Sequence, residues 1–89
     1  MKSFITVIGH DTVGIIASIA NILADRNVNI LDINQTVMGD MFTMIMMVDT
    51  EKLSCQFADL SEKLTEYGKD AGLSVRIQRE EIFNSMHRI

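Results

Sequence analysis

Proline and tryptophan are absent from this 89-residue chain, and cysteine and tyrosine occur once each. With no proline and no low-complexity run, the sequence offers neither linker nor tail. The single cysteine, Cys55, cannot form an internal disulfide, which suits a reducing, cytoplasmic setting. It lies far in sequence from the two histidines, so no metal-ligand spacing appears and no metal or cofactor is expected. Positive charge is also scarce. Eight Lys and Arg face twelve Asp and Glu, giving a net charge of −4 and a pI near 4.9. Direct binding to DNA or RNA needs a basic face, so the balance excludes it. No apolar run approaches the roughly 20 residues that span a bilayer, and no signal-peptide pattern opens the chain, so no membrane role is expected.

What remains is 47% hydrophobic and 22% charged, the composition of one globular domain with a modest core. Its organising stretch is Gly9-His10-Asp11-Thr12-Val13-Gly14-Ile15-Ile16, which joins a first apolar run to a helical pattern. A strand-to-helix junction turns sharply and leaves backbone N–H groups at the helix start without intrahelical partners. Asp11 or Thr12 can cap this helix, and any N–H left over can hold a small anionic group such as a carboxylate.

Residues 2–8 read as a strand, with Phe4 and Ile8 on one face and Ile5 and Val7 on the other. From Val13 the period becomes helical. Ile16, Ile19, Ala20 and Leu23 form the stripe, Ile15 and Ile22 widen it, and Asn27 suits a left-handed end. Asn29 to Met38 reads as a second strand of mixed character, with Leu31, Ile33 and Val37 on one face. Asp32, Asn34 and Thr36 join Ile30 and Met38 on the other. Gly39-Asp40 is a two-residue hairpin signal of type II′, and Met41 to Asp49 returns as a third strand, apolar on both faces. A second helix starts between Leu53 and Cys55, capped by Thr50 or Ser54, and runs along Leu53, Phe57, Leu60, Leu64 and Tyr67 to Gly72. Gly68 weakens its last turn. Leu73 to Gln78 gives a fourth strand, and Glu80 to Ile89 returns to helical spacing.

Right-handed crossovers turn this order into an α+β, ferredoxin-like βαββαβ sandwich. Its antiparallel sheet has strand order 4-1-3-2 and carries two helices on one face. The other face keeps apolar residues that the two main helices cannot cover. The terminal helix, from this chain or a partner, is the candidate cover.

This order, with the Gly9-His10-Asp11-Thr12-Val13-Gly14-Ile15 junction, resembles the ACT domain, a ligand-binding regulatory module. The resemblance covers residues 1–79. With the closing segment 80–89, read as a helical extension over the sheet or a partner chain, it extends to a bacterial family consisting of an ACT domain alone. A more distant similarity runs to the amino-terminal parts of formyltetrahydrofolate deformylase and of the glycine cleavage system repressor. The resemblance implies a small metabolite, in particular an amino acid, bound between subunits of a homodimer. The first loop would supply His10, Asp11, Thr12, Val13 and Gly14, and the second strand of the partner would supply Asp32, Asn34 and Gln35. Many loops of the family place a proline where this chain has Val13.

The long second strand, free of proline and at the sheet edge, invites edge-to-edge pairing into an eight-stranded dimer, which could associate further. Free N–H groups around Thr12 to Gly14 would receive a ligand carboxylate, and Asp11 or Asp32 the ammonium group. Asp11 can both cap and bind, Asp32 and Asn34 read as solvated edge residues before ligand contacts unless the dimer buries them, and the methionines read as core and sheet filler rather than soft-metal ligands. No nucleophile–base pair, phosphate loop or paired carboxylates are present, so the chain is read as no enzyme. It is read instead as a metabolite sensor acting on another, unknown protein. The alternative is a ligand-free interaction module using the sheet face and the terminal helix.

Overall fold

The computed structural model of the chain describes residues 1–10 and 13–86, with side chains through residue 84. Asp11, Thr12, His87, Arg88 and Ile89 lie outside the described residues. The elements run β1 (Lys2–His10), α1 (Ile15–Asp25), β2 (Asn29–Met38), β3 (Met41–Asp49), α2 (Phe57–Ala71), β4 (Leu73–Arg79) and α3 (Glu80–Met86). They form one antiparallel sheet of order β2-β3-β1-β4, the order expected. The central strands β1 and β3 are the two whose alternate residues are apolar on both faces.

One face of the sheet is sealed by α1 and α2. Ile5 and Val7 of β1, and Phe42, Met44, Met46 and Val48 of β3, meet Val75 and Ile77 of β4 under Ile19, Leu23, Leu60 and Leu64. Burying each such side chain is worth about 1.5–3 kcal/mol before entropy is charged against it. The opposite face carries Phe4, Thr6, Ile8, Ile45 and Met47, and α3 lies across its β1–β4 half. There Phe83 stacks on Phe4 with ring centroids 4.3 Å apart. At the base of the sheet Asp49 accepts the Glu51 N–H at 3.0 Å and faces the Met1 amino group at 3.4 Å, contacts that lower its carboxyl below the usual aspartate value.

Four local expectations need correction. Helix α1 starts at Ile15 behind Gly14, whose φ of 88° makes it a left-handed N-cap with no side-chain hydrogen bond. A later start rotates the buried stripe to Ile15, Ile19, Ile22 and Leu23, leaving Ile16 on the outside. Helix α2 begins at Phe57 with Gln56 as its N-cap, because the preceding residues are held elsewhere: the Ser54 N–H bonds the Arg26 carbonyl, and Thr50 bonds the Met1 carbonyl through both its N–H and its hydroxyl.

The third correction is a β-bulge. The β2–β3 register shifts between Ile30 and Asp32, so Ile30 opposes Val48 while Asp32 opposes Met47. One extra residue at Leu31 flips the alternation. Ile30 therefore shares the helix-side face with Ile33, Gln35 and Val37, not the face of Asp32. The fourth concerns Gly68, which is buried where a β-carbon would lie 2.7 Å from the Leu73 carbonyl oxygen. It permits α2 to approach β4 closely. The left-handed Asn27, at φ 62°, and the hairpin, with positive φ at Gly39 and none at Asp40, stand as read from sequence.

Candidate ligand site

The junction after β1 is shaped by two glycines with different tasks. Gly9 is paired on both sides, with Phe42 of β3 and Leu73 of β4, and a β-carbon there would lie 2.5 Å from a Leu73 methyl. This close fit carries β1 on to His10, two residues beyond the apolar run. Gly14 then takes the left-handed turn that starts α1.

Helix α1 opens with no side-chain cap. Its first described bond inside the helix end runs from the Ser18 N–H to the Gly14 carbonyl at 2.9 Å. The N–H groups of Ile15, Ile16 and Ala17 precede that bond and have no carbonyl within the helix to meet. They point out of the positive end of an eleven-residue helix. Beside them runs an open groove of about 770 Å³ between α1 and β2, floored by Phe42, walled by Ile16 and Val37, and carrying the Gln35 side-chain amide. The groove therefore pairs backbone donors that have no partner among the described residues with apolar walls and one neutral polar group. It can hold a small molecule that has an acidic end and an apolar body.

The residues singled out from sequence divide between the two sides of the sheet. Gly14 and Gln35 line the groove together, although 21 positions separate them (35 − 14). Val13 is fully exposed at its mouth. Asp11 and Thr12 are outside the described residues. Asp32 and Asn34 stand on the opposite side, where with Phe4, Ile45 and Met47 they border a smaller hollow of about 210 Å³. His10 also belongs to that side by register, opposite Met41, with its Nδ1 3.4 Å from an Asp40 carboxylate oxygen. Strand alternation places Gln35 on the helix side, opposite Met44, and Asp32 and Asn34 on the other, opposite Met47 and Ile45. Sequence reasoning did not single out Ile16, Ala17, Val37 and Phe42 for this site, because an apolar groove wall has the same pattern as core. Among the described residues no cluster of His, Cys, Asp and Glu could hold a metal ion, and no helix is long and apolar enough to cross a membrane.

Comparison with known proteins agrees with the fold. The sequence model of the ACT domain matches residues 4–78. A UPF0237 protein of Clostridium acetobutylicum is 52% identical over 89 residues, covering all of both chains. Among solved structures, an ACT domain protein from Streptococcus pneumoniae superposes with a TM-score of 0.79 at 35% identity, covering 93% of each chain. A formyltetrahydrofolate deformylase from Pseudomonas syringae gives 0.74 at 26% identity, covering 88% of this chain but 27% of that one. A protein assigned as a glycine cleavage system transcriptional repressor gives 0.71 at 22% identity, over 88% of this chain and 44% of that one, a likeness of fold alone.

Proposed function

Because the chain belongs to the ACT domain family, we propose that it is a regulatory protein, without catalysis of its own, that senses a small metabolite of the amino-acid class. The observation that carries this reading is the groove in which the open start of α1 and Gln35 of β2 face one another across apolar walls. The ligand carboxylate sits on the N–H groups of Ile15 to Ala17, a position favoured by the helix dipole. Its side chain lies against Ile16, Val37 and Phe42, and Gln35 receives its ammonium group through the amide oxygen. Asp11, Thr12 and Val13 are the loop residues assigned to the same ligand.

The sensor works as a cytoplasmic homodimer joined along β2, in which every residue except the half-buried Ile30 is exposed. Pairing two copies edge to edge keeps like faces on the same side of the sheet. Both grooves then border the new interface, while Asp32 and Asn34 of either copy remain on the far side. Ligand binding biases the geometry of that interface, and a regulated protein reads the difference.

The test is a thermal-shift screen of the full chain against the twenty amino acids, purines and folates. A ligand present at 100 times its Kd adds about 2.7 kcal/mol, which raises Tm by roughly 10 °C or more for a domain of this size. Gln35→Ala, on an exposed edge, leaves the unliganded stability within about 0.5 kcal/mol and removes most of the ligand-induced rise. A screen in which nothing raises Tm, or a rise untouched by Gln35→Ala, overturns the assignment.

A further inference from the structure

The seven methionines of the chain are not equivalent. Met44 and Met46 are 0% exposed and fill the core, the role that strand alternation gives them. Met38 and Met41 do not: they are 71% and 40% exposed at the tip of the β2–β3 hairpin. They oppose one another across the turn, and Met41 in turn opposes His10 of β1. Three neighbouring strands thus bring an imidazole and two thioethers into a single cross-strand row on one face of the sheet.

We propose that His10, Met41 and Met38 form a surface site for a soft monovalent cation, Cu(I). Directly opposed residues hold their β-carbons about 4.5–5.5 Å apart. The three rotatable bonds of each methionine let both sulfurs turn toward a common point beside the imidazole. Thioether donors select Cu(I) among the biological metals, and imidazole accepts it. One nitrogen and two thioethers make a poor site for Zn(II), which takes thiolate, imidazole and carboxylate.

Asp40 adds the outer support such sites use. Its carboxylate lies 3.4 Å from His10 Nδ1, and Nε2 is the nitrogen the site assigns to the ion. Its negative charge also offsets the charge of the cation. Exposure of Met38 and Met41 is costly as packing and useful as coordination, since the donor atoms stand ready without unfolding anything.

The measurement is an anaerobic titration of Cu(I) into the full chain carrying Cys55→Ser, which removes the half-buried thiol as a competing ligand. A chromophoric chelator competes for the ion, and methionine methyl and histidine ring signals are followed by NMR. The site predicts one equivalent retained, with shifts confined to Met38, Met41 and His10. Met38→Leu, Met41→Leu and His10→Phe each weaken retention tenfold or more, and Zn(II) moves none of these signals. Leucine conserves the volume of methionine, and all three residues are exposed, so these variants keep the fold. Failure to hold Cu(I) against the chelator overturns the site, as does retention that the three substitutions leave unchanged.

Discussion

At the scale of single residues, the chain uses glycine where other residues would be stronger local formers. Gly68 is the clearest case. In an exposed helix, replacing glycine by alanine gains about 1 kcal/mol. Here the added carbon would meet the Leu73 carbonyl at 2.7 Å and the Val75 side chain at 3.0 Å, and overpacking a core costs about 1–3 kcal/mol. Backbone cannot step aside as a side-chain end can, so the packing term wins. Gly68→Ala is expected to lower unfolding stability by up to about 2 kcal/mol, measured by urea denaturation followed by circular dichroism. A variant more stable than the parent would show that α2 and β4 have room between them. The same close approach was invisible in the sequence, where Gly68 is simply a poor helix residue near a helix end.

At the scale of elements, the strands were legible and the helix starts were not. Asn29–Met38 and Met41–Asp49 follow directly from alternation and from Gly39-Asp40. Helix α1 offered two plausible caps, Asp11 and Thr12, yet the helix starts behind a left-handed Gly14, two positions after Thr12, and buries Ile15 and Ile22 rather than Ile16. The bulge at Leu31 left no mark, because β2 is mixed on both sides and either alternation fits it. Regular alternation after the bulge decides which second-strand residue reaches the groove: Gln35 does, while Asp32 and Asn34 do not. Of the loop residues, His10 went to the other side because pairing around Gly9 extended β1 beyond its apolar run.

Strand β2 is also where the proposed association belongs. Leu31, Ile33 and Val37 are exposed on it, and among the described residues no other strand pairs with its outer edge. The chain should therefore sediment as a dimer. Thr36→Lys adds a positive charge to the β2 edge in both copies and should shift the equilibrium toward monomer without unfolding the domain, since Thr36 is exposed. A wild-type chain that sediments as a monomer at every concentration would contradict edge pairing.

At the scale of the whole molecule, the two faces of the sheet divide the work. The helix side holds the core and, where α1 begins beside β2, the groove. The other side is partly covered by α3 through the Phe4–Phe83 stack and ends in the row of His10, Met41 and Met38. On the proposed reading, a ligand in the groove would touch the start of α1 and the exposed edge strand β2 together, which is how its occupancy would reach a partner.

The most direct test is an amide NMR titration with the metabolite that raises Tm most. The account predicts the largest shifts at Ile15, Ile16, Ala17 and Gln35, with little change at Asp32, Asn34 and Ile45. Shifts concentrated on those last three residues, with the start of α1 unmoved, would contradict it.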